Sequence, residues 1–433
     1  MKYTALLFLL LLCISCKTQQ IKTSLKNSKV FGEGFAGIMI YDPAKEKTIY
    51  AQNETLYFIP ASNTKLFTFY VSRKILDEVV NGMNYIISED SLIFWGSGDP
   101  SFLHPDFKNE IAYNFLRTHK GTLFFANNFS QVDAYGPGWS WDWYNYYYAT
   151  ERSAFPVYGN VVRFQKDVSN PFLTFSPSFF EGSISVDPQL FSDRYLIQRD
   201  KDFNRYNYLL GRGDSLAFIA DKPFMTSDSL MIEMLEDTLD REIKLIDYER
   251  VRGFPHKELP TIATDSLQKQ MMLISDNFLA EQLLLMSSDN LFDSLNIEAV
   301  IDYSLDNFLS DLPDKPRWVD GSGLSSKNLF TPRSIIALLG KIKDEVPEET
   351  IFSIFPAGGK VGTIKDWYKS DDGNPYVYAK TGTLSNSICL SGFLLTKSNK
   401  VLHFSFMLNN FMLSSDVLKQ EMEKILYQIH ANY

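Results

Sequence analysis

A serine and a lysine three residues apart, Ser62 and Lys65, stand in a stretch that begins with Pro60. A serine hydroxyl is a weak nucleophile unless a base lies within hydrogen-bond reach. Because residues three apart share one face of a helix, a helix that begins here would bring the amine of Lys65 to the hydroxyl of Ser62. In a dry site beside another cation, the pKa of a lysine falls, and its neutral amine can then accept the proton. The pair is a candidate nucleophile and base.

The same pattern has an ordinary alternative interpretation. Ser62 could cap a helix, and Lys65 could be a solvent-exposed side chain in the first turn. The spacing recurs at Ser266 and Lys269 in the same chain. Because so short a motif is only a hypothesis until its structural context is found, the catalytic interpretation depends on partners elsewhere.

A second motif, Lys380-Thr381-Gly382-Thr383, offers groups for binding and for charge stabilisation. A lysine ammonium and a threonine hydroxyl suit a substrate carboxylate. Gly382 allows a substrate strand to approach the backbone closely. The backbone N–H of Thr383 can act with that of Ser62 as the two donors that stabilise an oxyanion. The ordinary alternative is a turn at the end of a strand.

A third motif, Ser275-Asp276-Asn277, interrupts an apolar helical pattern over residues 266–286. Its hydroxyl could pass a proton to a leaving amine, and its amide could hold Lys65 or the substrate amide. The ordinary alternative is a helix N-cap. A second Ser-x-Asn at 288–290 leaves the assignment open. We prefer Ser275 and Asn277 because a well-formed helix over 278–284 follows them.

The composition bounds the class of protein. A chain of 433 residues with 45% hydrophobic residues is long enough for two or three domains. The net charge of −10 argues against a nucleic-acid partner. The five histidines are scattered, and Cys13 and Cys16 stand at the end of a leucine-rich N-terminal run, so we predict neither a metal site nor a cofactor.

The first sixteen residues resemble a bacterial lipoprotein signal peptide. A lysine precedes a short leucine-rich run, which is too short for a permanent membrane span. Cys16 would then be acylated and would anchor the mature chain to a membrane. Because Cys13 stands where that signal prefers leucine, cleavage by an ordinary signal peptidase is the alternative. We predict a tether over 17–30 and an unpaired Cys389.

The periodicity predicts an α/β protein with a β-rich middle. We expect the chain to become helical from residue 259 and a final amphipathic helix over 416–429. The simplest organisation is a catalytic domain of residues 31–86 and 256–433, split by an insertion over 87–255. The predicted strands are 35–41, 48–51, 91–95, 122–125, 161–165, 376–381, 387–395 and 401–408.

The three motifs occur in an order that penicillin-binding proteins and β-lactamases share. The gap between Ser62 and Ser275 is much longer than in a class A β-lactamase. The chain instead resembles the low-molecular-mass class C penicillin-binding proteins, which are D-Ala-D-Ala carboxypeptidases of peptidase family S13. Three further stretches carry the resemblance: Gly96-Ser97-Gly98-Asp99-Pro100, Gly138-Trp139-Ser140-Trp141-Asp142, and Asp320-Gly321-Ser322-Gly323-Leu324-Ser325 with Thr331-Pro332.

The resemblance implies a fold and a set of roles. The fold is a transpeptidase-like, β-lactamase-like domain, with an antiparallel sheet flanked by helices and split by β-rich inserted domains. By resemblance, Ser62 is the acylated nucleophile and Lys65 the base. Ser275 and Asn277 flank the reacting amide, and Lys380 and Thr381 hold the terminal carboxylate.

Asp142 receives its role from the resemblance alone. In the family, the segment that matches 139–142 lies over the cleft and can meet the amino end of a diaminopimelate stem peptide. Asp142 would then pair with that ammonium. The alternative is that this segment belongs to a domain core rich in tryptophan and tyrosine.

The predicted function is a serine D-Ala-D-Ala carboxypeptidase in the bacterial cell envelope, on the periplasmic side. Its partners would be peptidoglycan stem peptides and β-lactams, which would acylate it, and it could also cut cross-links as an endopeptidase. One alternative is a non-catalytic wall-binding protein, which has no need of Ser62, Lys65, Asn277 and Lys380 together. Another is a β-lactamase or esterase of the same superfamily, which would release a penicilloyl group rapidly.

Overall fold

The computed structural model describes residues 19–128, 132–167, 172–192, 196–211 and 217–433. The chain forms two compact units, each assembled from separate segments. The first unit contains the residues up to 71, 268–276 and 301–433, and the second contains 72–267 and 277–300. These limits differ from the predicted domain boundaries, which stay a prediction.

The strands of the described residues follow one another in chain order. They are β1 (Phe35–Asp42), β2 (Lys47–Gln52), β3 (Val79–Ser88), β4 (Ser91–Gly96), β5 (Thr122–Asn127), β6 (Val161–Lys166), β7 (Thr174–Ser176), β8 (Ile184–Ser192), β9 (Leu196–Arg199), β10 (Tyr206–Gly211), β11 (Phe218–Pro223), β12 (Ile243–Asp247), β13 (Lys257–Ala263), β14 (Val377–Leu384), β15 (Ser387–Leu395) and β16 (Val401–Asn409). Every predicted strand is present, within three residues of its predicted ends.

The α-helices of the described residues are equally spread along the chain. They are α1 (19–26), α2 (Lys29–Gly32), α3 (Lys65–Ile75), α4 (Ile111–Thr118), α5 (Asp228–Leu239), α6 (Thr264–Ile274), α7 (Asn277–Phe292), α8 (Ile297–Asn307), α9 (Pro332–Glu345), α10 (Glu348–Ile354) and α11 (Ser415–Asn432). In the part of the chain that the structure describes, no helix has the length and apolar character needed to cross a membrane.

The first unit is built on an antiparallel sheet with the strand order β14-β15-β16-β1-β2. Nearly every residue of β15 is buried, so both faces of the sheet are covered. Helix α9 contacts β16 and β1, and helix α11 contacts β15. The core side of α11 buries Leu418, Met422, Ile425, Leu426 and Ile429. The predicted fold class, an antiparallel sheet flanked by helices, is confirmed.

The second unit is rich in strands, as predicted for the middle of the chain. Its largest sheet has the order β12-β5-β4-β3-β13, and two three-stranded sheets accompany it, β8-β10-β9 and β11-β6-β7. Its core contains a cluster of phenylalanines, in which the rings of Phe94, Phe125 and Phe155 lie 5.2–5.8 Å apart. Burial of these large side chains accounts for part of the 15% of residues that are aromatic in this chain.

The predicted tether over 17–30 is wrong where the structure describes it. Residues 19–26 form helix α1, and α2 follows. Ile21, Leu25 and Phe31 are buried in the core of the first unit. Since Ile21 and Leu25 lie four residues apart, they share one face of a helix that is otherwise polar. Two apolar residues were too weak a pattern to predict it. The predicted signal peptide, 1–16, lies outside the described residues.

The expected helical start at residue 259 is also wrong. Residues 257–263 form strand β13, which pairs with β3 at the edge of the large sheet of the second unit, and helix α6 begins only at Thr264. The register of this pairing shifts at Pro260. Proline has no N–H to donate and is tolerated at the edge of a sheet. The pattern of a single sequence does not reveal such an edge strand.

One buried histidine makes the first unit sensitive to acid. His403 on β16 is 2% exposed, and neither of its ring nitrogens has a hydrogen-bond partner among the residues that the structure describes. Its ring packs against Phe393 at a centroid distance of 5.3 Å. Burial, and secondarily the charge of Lys343, lowers the pKa of His403 to about 4. Because the folded-state pKa lies below that of the unfolded chain, only the unfolded chain takes up this proton as the pH falls below about 6.5.

We predict that His403→Phe weakens the loss of stability in acid. Between pH 7 and pH 4, the free energy of unfolding of the variant should fall less than that of the unaltered protein. The two decreases should differ by up to about 3 kcal/mol. At pH 7 the variant should be at least as stable, because two buried nitrogens without partners are removed. Denaturant unfolding at pH 7, 5 and 4 measures both effects. An unchanged pH dependence would contradict the assignment of the acid sensitivity to His403.

Candidate active site

Ser62 lies in a short 3-10 helix, Ala61–Thr64, that leads directly into α3. The sheet of the first unit holds this segment in place. The N–H of Ile59 donates to Oδ1 of Asn409 at 2.8 Å, and Nδ2 of Asn63 donates to Oγ of Ser391 at 2.8 Å. Ala61 has a positive φ of 47°, an unfavourable conformation for a residue with a side chain. The segment before α3 is therefore fixed by contacts with β15 and β16.

Lys65 is directed at Ser62 and is fully buried. Its Nζ lies 3.1 Å from Oγ of Ser62 and donates to the carbonyl oxygen of Ser322 at 2.7 Å. A solvent-exposed Lys65 is thereby excluded. A neutral amine at this position can donate to the Ser322 carbonyl and still present its lone pair to the hydroxyl of Ser62.

The carbonyl that contacts Lys65 belongs to a turn organised by Asp320. The buried carboxylate of Asp320 accepts hydrogen bonds from the N–H groups of Gly323 at 2.9 Å and Ser325 at 2.7 Å. It also accepts from Nδ2 of Asn328 at 2.7 Å. A charged acceptor with three donors fixes the turn. The stretch 320–325 contributed to the resemblance, but its position against Lys65 was not predicted.

Lys380 lies on β14 and meets Ser275. Its Nζ donates to Oγ of Ser275 at 2.7 Å and to the carbonyl of Thr381 at 3.0 Å. The side chain is fully buried. Burial lowers the pKa of Lys380 well below its ordinary value, and the charge of Lys65 lowers it further. Because two ammonium groups repel each other, the state in which both lysines are protonated is disfavoured.

The strand that carries Lys380 is an edge strand of its sheet. Residues 356–358 already pair with its outer edge at Val377 and Ala379. The outer backbone groups of the strand beyond Ala379 are suited to pair with an extended peptide. The hydroxyl of Thr381 donates to that of Thr363 at 2.8 Å, and Thr383 is exposed. A Cβ at Gly382 would lie 2.6 Å from the carbonyl oxygen of Pro60 and 3.1 Å from the N of Ser62. The absence of a side chain at Gly382 thus permits β14 to lie against the serine segment.

The two Ser-x-Asn motifs occupy different environments. Ser275 has a positive φ of 62° between α6 and α7, and it contacts Lys380. Ser288 is buried within α7, where its hydroxyl donates to the carbonyl of Ser294 at 2.7 Å. Of the two serines, Ser275 is the one whose hydroxyl meets Lys380. Asn277 is the first residue of α7, and its Nδ2 donates to the carbonyl of Tyr148 in the second unit at 2.8 Å.

Asp142 lies in a 3-10 helix of the second unit, Trp141–Asn145. Its carboxylate is exposed and accepts a hydrogen bond from Oγ of Ser140 at 2.5 Å. The neighbouring Trp141 is 74% exposed. Trp141 and Asp142 are therefore not part of an aromatic core, which was the alternative interpretation of this segment.

Cys389 is a free, buried thiol on β15. Among the described residues there is no cluster of three or more histidine, cysteine, aspartate or glutamate side chains that could hold a metal ion. Cys16, the predicted lipidation site, lies outside the described residues.

The first unit thus brings together groups suited to acyl transfer. A serine hydroxyl, an amine in hydrogen-bond contact with it, and a second buried amine on an edge strand lie in one unit. Such an arrangement can activate a nucleophile, bind a carboxylate and shuttle a proton through Ser275.

Comparison with known proteins identifies the family of this chain. The model of the D-Ala-D-Ala carboxypeptidase 3 (S13) family matches residues 17–178 and 263–433. A curated relative, penicillin-sensitive carboxypeptidase A of Dictyostelium discoideum, is 30% identical over 99 residues. This match spans 21% of the chain and 19% of the relative.

The solved structure of penicillin binding protein 4 from Haemophilus influenzae resembles the fold, with a TM-score of 0.69 and 17% identity over 95% of this chain and 97% of the other. The same protein in complex with a β-lactam gives a TM-score of 0.65 and 18% identity over 94% and 97% of the two chains. Because the family model covers most of the chain, the predicted family is confirmed: the protein belongs to the D-Ala-D-Ala carboxypeptidase 3 (S13) family.

Proposed function

We propose that this enzyme removes the terminal D-alanine from peptidoglycan stem peptides through an acyl-enzyme on Ser62. The observation that carries the proposal is the 3.1 Å contact between Nζ of Lys65 and Oγ of Ser62. Lys380 supports it, because its Nζ lies 2.7 Å from the hydroxyl of Ser275 in the same unit.

In the acylation step, Oγ of Ser62 attacks the carbonyl carbon of the penultimate D-alanine. The hydroxyl proton passes to the neutral amine of Lys65. The carbonyl oxygen gains the negative charge of the tetrahedral intermediate, and the N–H groups of Ser62 and Thr383 donate to it. When the C–N bond breaks, the leaving amine takes, by way of Ser275, the proton that Lys65 had gained, and Lys65 is neutral again. The products are an ester on Ser62 and free D-alanine.

In the deacylation step, a water molecule attacks the ester carbonyl and gives up its proton to Lys65. The C–O bond to Ser62 breaks, and the serine oxygen recovers a proton from Lys65, which returns to its neutral state. Asn277 would hold the substrate amide throughout, as the resemblance implies.

The terminal carboxylate of the substrate would bind to Lys380 and Thr381. A carboxylate beside Lys380 favours the protonated amine, which burial alone disfavours. The ammonium so formed repels a proton on Lys65, so that Lys65 is left neutral and able to act as the base. Binding of the correct end of the peptide would thereby prepare the nucleophile.

The β-lactams would acylate Ser62 in the same way, because they combine a carboxylate with a reactive amide. The similar penicillin binding protein 4 of Haemophilus influenzae has been solved in complex with a β-lactam. Asp142 would pair with the ammonium of the stem peptide, which its exposed carboxylate permits.

We also propose that the protein is exported to the periplasmic side of the cell envelope and anchored through a lipid on Cys16. The leucine-rich run before a small residue and Cys16 supports this proposal. Mass spectrometry of the mature N-terminus tests it, since lipidation adds acyl groups to Cys16 and ordinary cleavage does not.

We predict that Ser62→Ala abolishes labelling by a fluorescent penicillin and lowers the release of D-alanine from a soluble stem pentapeptide by at least about 10³-fold. The matched control is Ser266→Ala, because Ser266 and Lys269 repeat the spacing but are both exposed. The control should label at the rate of the unaltered protein. Labelling of Ser62→Ala at that rate would remove Ser62 as the nucleophile.

Analysis of muropeptides from the same reactions separates the two peptidase activities. Carboxypeptidase activity converts pentapeptides to tetrapeptides, whereas endopeptidase activity converts cross-linked dimers to monomers.

We predict that Gly382→Ala lowers the rate of penicillin acylation by about 10²-fold. The new Cβ would press on the carbonyl of Pro60 and displace the serine segment, and small misplacements of reacting groups are costly. The control is Gly340→Ala, because Gly340 lies inside α9 with open space around its Cα. This control should keep the acylation rate and stabilise the helix by about 1 kcal/mol. Equal rates in the two variants would contradict the proposed contact.

We predict that Asn277→Ala lowers kcat/KM for the pentapeptide by about 10²-fold, as the loss of a side chain that binds the reacting amide should. The matched variant is Asn290→Ala in the second Ser-x-Asn motif, which should retain most of its activity because Asn290 is exposed near the end of α7. A silent Asn277→Ala with an impaired Asn290→Ala would reverse the assignment of the motif.

A further inference from the structure

The second unit exposes an unusual group of aromatic side chains. Trp141, Tyr146 and Tyr147 are 74%, 48% and 60% exposed, and Tyr148 is half-buried among them. We call these four residues the aromatic platform. Exposed aromatic rings grouped in one short segment mark a binding surface more often than a chance arrangement.

The rings of the platform are ordered against one another. Tyr146 and Tyr148 are stacked, with centroids 5.1 Å apart and an angle of 6° between their planes. Tyr147 meets Tyr148 edge to face at 5.8 Å. The amine of Lys201 lies 5.0 Å from the centroid of Trp141, on one face of that ring. The platform therefore presents flat ring faces of fixed orientation.

Contacts at both ends hold the segment that carries the platform. The carbonyl of Tyr148 accepts a hydrogen bond from Asn277 at the start of α7. Further along, the guanidinium of Arg152 pairs with Glu281 of the same helix at 3.4 Å, and both side chains are buried. At the other end, the guanidinium of Arg152 also lies over the ring of Trp139, 5.6 Å from its centroid. In the middle of the segment, Nζ of Lys222 donates to the carbonyl of Asn145 at 3.2 Å. A surface that is held in place before binding loses little conformational entropy on binding.

The chemistry of the segment suits a sugar. Residues 139–148 contain only tryptophan, tyrosine, serine, aspartate and asparagine, with no aliphatic side chain. One face of a pyranose ring carries C–H groups with partial positive charge, which pack on the negative face of an aromatic ring. The hydroxyl and acetamido groups at the edge of the sugar need polar partners, which the carboxylate of Asp142 and the tyrosine hydroxyls supply.

A membrane surface fits less well, because it attracts basic clusters, whereas this chain carries a net charge of −10 and has Asp142 within the segment.

We propose that the aromatic platform binds the sugar rings of the peptidoglycan glycan strand. This inference rests on the proposed function for the identity of the polymer. Asn277 contacts Tyr148 and belongs to the motif that is assigned to the reacting peptide. The platform is therefore in contact with a residue of that motif. The enzyme would thus hold the glycan to which its stem-peptide substrate is attached.

The test uses glycan strands from which an amidase has removed all stem peptides. The unaltered protein should bind these strands, and the double variant Trp141→Ala with Tyr147→Ala should bind at least about tenfold more weakly. The matched control is Phe254→Ala, since Phe254 is a 59% exposed aromatic side chain of the same unit outside the platform. The control should bind within about twofold of the unaltered protein.

A measurement on the unaltered protein guards against misfolding of the double variant. Because acrylamide reaches the exposed ring of Trp141, added glycan should reduce the quenching of tryptophan fluorescence. Absence of glycan binding, or equal binding by the double variant, would overturn the proposal. The proposal would also be overturned if the platform bound vesicles of phosphatidylethanolamine and phosphatidylglycerol in place of glycan.

The test also separates this inference from the proposed function. Peptide-free glycan has no bond for Ser62 to attack, so Ser62→Ala should bind it as the unaltered protein does. If the platform serves the enzyme, the double variant should also lose activity on glycan-linked peptides. Its kcat/KM on these peptides should fall at least about tenfold more than its kcat/KM on soluble pentapeptide. Equal losses on the two substrates would count against it.

Discussion

The burial of two lysine amines in one unit is the constraint on which the rest of the structure depends. An ammonium taken from water loses several kcal/mol of hydration unless partners replace the water or the group gives up its proton. The partners seen at Lys65 and Lys380 include hydroxyls and backbone carbonyls, which the neutral amine can also contact. Since burial lowers the pKa of Lys380, the same feature that costs stability makes the neutral amine more accessible.

Much of the first unit can be understood as support for these amines. The Asp320 turn fixes the carbonyl that faces Lys65, and β14, which carries Lys380, lies at the edge of the sheet. Two residues with side chains, Ala61 and Ser275, have positive φ values at the site. Backbone strain of this kind persists only where the surrounding contacts over-determine the conformation. The burial of β15, the neighbour of β14, supplies that rigidity.

The second unit uses its aromatic residues in two ways. Phenylalanines fill its core, while tryptophan and tyrosine between residues 141 and 148 reach the surface. The composition shows that 15% of the residues are aromatic but does not reveal this division, because exposure depends on neighbours far away in the chain. The contact between Asn277 and Tyr148 joins residues that the sequence separates widely.

The sequence by itself determined the order and identity of the motifs, the family and the strands of the first unit, because local periodicity and short signatures survive without tertiary information. Only the tertiary structure decided that Lys65 is buried, that Ser275 and not Ser288 meets Lys380, and that residues 19–26 pack as a helix on the core. It also showed β13, an edge strand with a proline, where the pattern suggested a helix. The physical reason is common to all four: each depends on contacts between segments distant in the chain, and such contacts override local propensity.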